Sequence, residues 1–295
     1  MDTMSRPAIR ASGLRMSYGG RRVLDDLALT VGTGEVVALL GPNGAGKTTT
    51  VEILEGFRRR DAGTVEVLGT DPAHGDEAWR ARIGVVLQSW RDHKRWRVRA
   101  LLDQIGAAYT PYAGAAVRPR PTDELLARVG LADAAGQRVG TLSGGQRRRL
   151  DVAVGLVGRP EVLFLDEPTA GLDPAARREF HELLHEVVDD GATVLLTTHD
   201  LAEAETVADR ILLLVDGRLV ADGSPEQLAR EVAGPSEVRW TVDGVRQVHA
   251  TTDPVGFSRA LLTGPDDVQE LEVRHATLED AYLALVHASD REAHR

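Results

Sequence analysis

Eight consecutive residues have the types and spacing to hold a phosphate chain. Gly41-Pro42-Asn43-Gly44-Ala45-Gly46-Lys47-Thr48 fits the pattern G-x-x-x-x-G-K-[ST]. Its glycines let the backbone curl into an open nest whose N–H groups, through Thr49, point at phosphate oxygens. Lys47 adds a mobile cation for the terminal phosphates, and the Thr48 hydroxyl is a donor suited to Mg²⁺. Lys47 and Lys94 are the only lysines, so Lys47 stands out where arginine would be too wide and too rigid. A purely structural glycine-rich turn is the alternative. The flanks count against it, because residues 35–40 read as a buried strand and residues 47–57 as a helix whose N-terminus favours an anion. A nucleoside triphosphate, ATP, is the expected ligand.

A triphosphatase also needs a metal ligand opposite the nest and a group to act on water. The apolar run 162–165 ends in Asp166-Glu167. A carboxylate at the end of a buried strand lies beside the loop, so Asp166 is expected at the metal and Glu167 at the attacking water. Ser143-Gly144-Gly145-Gln146 opens a predicted helix with serine in the cap position, a second helix end able to take an anion. One nucleotide needs one nest. The second is expected to face the ATP of another subunit. Tyr18, at a predicted strand end, has the type to stack on a base, although ordinary packing is the commoner use.

The elements that must position these residues read as α/β. Predicted strands at 9–18, 23–31, 63–68 and 83–87 surround the loop, with Gln88 ending the last. Residues 89–158 change to helical signals at 101–109, 122–129 and 145–156, a helical insertion in the core. A strand at 162–165, a helix at 174–189, a strand at 192–197 ending at Thr198-His199, a helix at 201–208 and a hairpin at 211–221 complete the first domain, residues 6–230. After a Gly234-Pro235-Ser236 linker, residues 236–290 read as a small α+β domain: a hairpin (238–250), a helix (254–262), a strand (268–273) and a helix (278–286).

Composition narrows the class. Hydrophobic residues make up 42% of 295, enough for a sizeable core, and no apolar run reaches the length of a bilayer span. The N-terminus lacks a signal-peptide pattern, which makes the cytosol the expected location. With no cysteine, thiolate catalysis and iron–sulfur clusters are excluded. A net charge of −10 argues against a nucleic-acid partner.

Residues 6–225 resemble the ATP-binding cassette (ABC) ATPases. Residues 41–48 are similar to the Walker A motif, Leu142 to Gln146 to the signature, and 162–166 to Walker B with Glu167 as catalytic glutamate. Gly171-Leu172-Asp173 is similar to the D-loop, His199 to the switch histidine, Gln88 to the Q-loop glutamine and Tyr18 to the adenine-stacking aromatic. The resemblance implies a P-loop NTPase core with an N-terminal antiparallel β-subdomain and a helical insertion. It also implies a head-to-tail dimer, a homodimer or a heterodimer with another such ATPase. Each of its two ATPs is sandwiched between one subunit's Walker A and the other's signature. Thr48, Gln88 and Asp166 would serve Mg²⁺, and His199 the γ-phosphate. The absence of a membrane segment and of a long coiled coil, with a single cassette per chain, favours a transporter. Its permease would be a separate membrane protein, placing this chain on the inner face of the membrane. The stretch Thr277-Leu278-Glu279-Asp280-Ala281-Tyr282-Leu283-Ala284-Leu285 resembles the ending of ABC-2-type drug-exporter ATPases of the daunorubicin group. A generic amphipathic helix fits the same residues.

Two patterns compete. His181-Glu182-Leu183-Leu184-His185 fits H-E-x-x-H, a zinc-protease pattern, but its leucines claim the core face and a solvated helix face is expected. Residues 88–97 interleave Trp with Arg and Lys, a pattern that nucleic acid also suits, and read as a solvated loop or as a contact for a membrane partner or lipid headgroups.

Overall fold

Alternation decides the first layer. Residues Ile9–Tyr18 (β1) bury about every second side chain, as a strand with one face on a core must. In the computed structural model, which describes residues 6–87, 93–112, 119–232, 236–265, 267–274, 277, 279–280 and 282, β1 pairs antiparallel with Arg21–Val31 (β2). The turn between them leaves Tyr18 at the hairpin end, opposite Arg21. Val36–Leu40 (β3) follows and is buried at all five positions. It runs into the glycine-rich loop and then the helix Lys47–Leu54 (α1). This helix stops three residues before its expected end, because Gly56 turns left-handed at φ 80°. Ala62–Val67 (β4) pairs with the other side of β1, giving a three-stranded sheet of order β2-β1-β4.

The second layer is a mixed sheet whose core strands run parallel. Glu77–Arg80 (α2), which the sequence does not signal, leads into Ile83–Val86 (β5). The expected helical insertion follows as Val98–Ala107 (α3), Thr122–Arg128 (α4) and Gly144–Leu156 (α5). The α/β alternation then resumes with Val162–Asp166 (β6), Pro174–Asp189 (α6), Thr193–Thr198 (β7), Leu201–Val207 (α7) and Arg210–Val215 (β8). Arg218–Gly223 (β9) is the edge of a six-stranded sheet of order β5-β6-β7-β3-β8-β9. Strands β6, β7, β3 and β8 are near-continuous apolar runs, the mark of strands covered on both faces. Phe164, in β6, is fully buried and contributes roughly 1.5–3 kcal/mol relative to exposure.

The chain divides into two compact units, 1–220 and 221–295. The second holds Pro225–Val232 (α8), Ser236–Val242 (β10), Val245–Thr251 (β11), Pro254–Leu262 (α9) and Gln269–Arg274 (β12). Its three strands form an antiparallel sheet of order β11-β10-β12. Most of the expected helix 278–286 lies outside the described residues, and α8 is an addition to the sequence reading.

Candidate functional site

Register places the chemistry at one edge. Leu40 at the end of β3 pairs with Thr198 at the end of β7, and Asp166 at the end of β6 pairs with Thr197. The glycine-rich loop, Asp166-Glu167 and Thr198-His199 therefore all leave from the carboxyl ends of neighbouring parallel strands, where α/β sheets bind ligands. There a cleft of about 840 Å³ is lined by Tyr18, Asn43, Gly44, Gly46, Lys47, Thr48, Thr49, Glu167 and His199. Arg21, Arg22, Val23 and Asp216 line it too, and the sequence reading names none of these four.

The loop is wound around its own lysine. Lys47 is only 6% exposed, and its Nζ donates to the carbonyls of Gly41 (2.7 Å) and Pro42 (3.1 Å). Burial lowers its pKa, an effect opposed by the charges of Glu167 and Asp166. Gly41, Ala45 and Gly46 are buried, while Asn43 and Gly44 are exposed at the loop's crest. No side chain caps α1, so its N-terminus stays open to an anion.

The Asp166 carboxylate is held by two hydroxyls. Thr197 Oγ1 donates to Asp166 Oδ1 (2.5 Å), and Thr48 Oγ1 donates to Asp166 Oδ2 (3.4 Å). The Glu167 amide donates to Thr197 Oγ1 (3.0 Å). Glu167 itself sits at φ 44°, a left-handed conformation that an L-residue keeps only where its surroundings hold it. That turn brings its Oε1 within 3.1 Å of His199 Nδ1, pairing the two residues expected at the terminal phosphate.

The second helix end, expected to take an anion, lies elsewhere. Ser143 and Gly144 are exposed at the start of α5, and none of residues 143–146 is among the described residues lining the cleft. A complete capping box closes this end: Ser143 Oγ accepts from the Gln146 amide, and Gln146 Oε1 accepts from the Ser143 amide. Asp173, also exposed, caps α6 by accepting from the amides of Ala175 and Ala176.

The ABC transporter domain family matches residues 24–170. A daunorubicin resistance ATP-binding protein of Streptomyces coeruleorubidus is 44% identical over 231 residues, 78% of this chain and 72% of that relative. The chain belongs to the ABC transporter family. Its reaction is ATP hydrolysis coupled to transport. A Nod factor export ATP-binding protein of Ralstonia nicotianae is 42% identical over 231 residues, 78% of this chain and 71% of the relative. A solved structure of the ATP-binding subunit of an ABC transporter superposes with a TM-score of 0.67 at 28% identity, covering 76% of this chain and 92% of that one.

In this cassette the aromatic has company. Arg58 lies over the Tyr18 ring, 5.0 Å from its centroid, and Arg58 Nε donates to Glu52 at 2.6 Å. The Tyr18 hydroxyl meets Thr49 Oγ1 at 3.5 Å. The H-E-x-x-H reading needs a correction in detail. His181 is buried on α6 with Phe180, Leu183 and Leu184, not solvated, while His185 is exposed. Among the described residues no group of three or more His, Cys, Asp or Glu could hold a metal. Gln88 and residues 89–92 of the Trp/Arg segment lie outside the described residues.

Proposed function

We propose that this cassette powers the export of a small hydrophobic or amphipathic solute through a separate membrane permease. The observation that carries the reading is the convergence of the nest and the Glu167–His199 pair on one cleft, with Asp166 at the same sheet edge and bonded to Thr48. Phosphates would draw Lys47 from the carbonyls of Gly41 and Pro42 and take the amides of residues 44–49. Thr48 and Asp166 already bring two oxygen donors together, the hard set that Mg²⁺ prefers, and would hold the ion beside the phosphates. Mg²⁺ bound there would neutralise charge on the phosphates, with Gln88 as a further ligand. Glu167 orients and deprotonates the attacking water, and His199, held by Glu167, contacts the terminal phosphate. Tyr18 is the stacking surface for the adenine. Ser143 and Gly145 of a second subunit complete the site, with Asp173 at the junction of the two chains.

Export rests on the relatives, one named for Nod factor export and another for daunorubicin resistance. Among the described residues no helix is long and apolar enough to cross a membrane, which fits a permease on another chain. Leu87 and Trp96 are exposed on either side of 88–92 and would receive it, placing the cassette at the membrane's inner face. The deciding experiment is Glu167→Gln. ATP binding should persist while turnover falls by about 10²–10⁴-fold, with the dimer trapped in gel filtration. Normal turnover would remove Glu167 from the role.

A further inference from the structure

Arg148 lies one turn into α5, and its side chain points inward, 7% exposed. Each of its three nitrogens donates to a main-chain carbonyl. Nε reaches Pro168 (2.5 Å), Nη1 reaches Leu87 (2.7 Å) and Nη2 reaches Asp166 (3.1 Å). Two of these carbonyls flank Glu167, and the third belongs to the residue directly before Gln88. The neighbouring segment is held by the opposite charge. Glu203, 3% exposed, accepts from Thr169 Oγ1 at Oε1 (2.6 Å) and from Thr198 Oγ1 at Oε2 (2.5 Å). Pro168 and Thr169 are thus gripped by two buried polar side chains, and Thr198 directly precedes His199.

Burying such a pair is costly unless its hydrogen-bonding capacity is used, and an apolar pair would often serve stability as well. Here the capacity is used. The Nε atoms of Arg120, Arg149 and Arg177 are buried without a hydrogen-bond partner among the described residues, while that of Arg148 is bonded. Burial lowers the Arg148 pKa, and Asp151, Asp166 and Glu203 oppose the shift, so the guanidinium stays charged. Lysine could keep the charge but not the three-way fork.

We propose that Arg148 and Glu203 are positioning residues. Together they fix the 166–169 segment and Thr198, so that Glu167 holds its left-handed turn and His199 its contact with Glu167. Arg148 also ties the helix that starts at Ser143 to that pair. A displacement of α5 on meeting a second subunit is thereby delivered to the water-activating group. The inference rests on the role proposed for Glu167.

The test uses the full chain with Arg148→Lys, Glu167→Gln and the double variant. Arg148→Lys should lower kcat by about 10–100-fold while KM for ATP and Kd for ADP stay within about threefold. In the Glu167→Gln background the same substitution should add no further loss, since both act on one group. A kcat for Arg148→Lys within twofold of the unsubstituted chain would overturn the proposal. So would a loss carried by KM and thermal stability that simply adds to that of Glu167→Gln. Should Arg148→Lys not fold, Glu203→Gln answers the same question: a kcat lowered about 3–10-fold at unchanged KM supports the frame, and an unchanged kcat refutes it. Full turnover by Glu167→Gln would bring down the Glu167 reading and the proposal with it. An inactive Glu167→Gln beside an unimpaired Arg148→Lys would bring down the proposal alone.

Discussion

The starts of α1 and α5 are both glycine-rich helix ends, yet their glycines answer to different neighbours. A Cβ on Gly46 would meet Leu24 Cδ2 at 2.7 Å and the Val23 carbonyl at 3.0 Å, and the residue sits at φ 107°. The chain's own packing demands that glycine. A Cβ on Gly145 would find only Ala176 Cβ at an ordinary 3.7 Å, and one on Gly144 would find nothing within 4 Å. Among the described residues nothing needs those two positions bare. The first end is built for a ligand held within the chain. The second leaves its surface open to approach, which fits the two-subunit site proposed above.

The largest expected effect comes from splitting that site between two damaged copies. Lys47→Ala and Ser143→Arg should each abolish turnover alone. Mixed, they form heterodimers with one intact pairing, and roughly a quarter of the unsubstituted ATPase should return. No recovery at any mixing ratio would break the comparison.

A smaller contrast lies in single glycines. Gly46→Ala should destabilise the subunit by about 2–4 kcal/mol from left-handed strain and overlap with Leu24. Gly145→Ala should shift unfolding by less than about 1 kcal/mol while lowering ATPase several-fold. Equal effects in urea unfolding would show that both ends serve only the fold.

The far end of α1 gives the smallest effect. Glu55, its C-cap, is 4% exposed, and burial, then Asp166 and Glu52, push its pKa from an ordinary 4.5 up to about 8. The folded chain keeps a proton there that the unfolded chain has released. Stability therefore falls as pH rises from about 4.5 to about 8 and is level beyond. Glu55→Gln should raise stability at pH 9 by on the order of 1–3 kcal/mol and leave it unchanged at pH 4. A pH-independent effect in thermal melts would refute this.

Much of the site was legible because phosphate chemistry ties residue types to strand ends. Apolar runs that stop at Gly41, Asp166 and His199 announce one sheet edge, and the register confirms that these runs lie side by side. Helix bounds were legible where a cap was explicit, as at Asp173-Pro174. The helix α8 was missed although Ser224 and Gln227 form the same reciprocal bonds as Ser143 and Gln146, because eight residues give little periodicity. Long-range partners were beyond local pattern. Arg58 reaches Tyr18 across forty positions, and Arg148 is one of three consecutive arginines whose inward member only the packing selects. His181 fell to the same limit. Helical spacing put it beside the leucines but did not say that the core would take it in.

The capping box at Ser143 has one further consequence. With its serine oxygen and its glutamine carbonyl each already accepting from the other residue's amide, a subunit on its own would offer ATP a berth but no clasp. On the two-subunit site proposed above, unpaired copies would carry nucleotide without consuming it. Fuel use would then be metered by encounter between subunits, not by the supply of ATP.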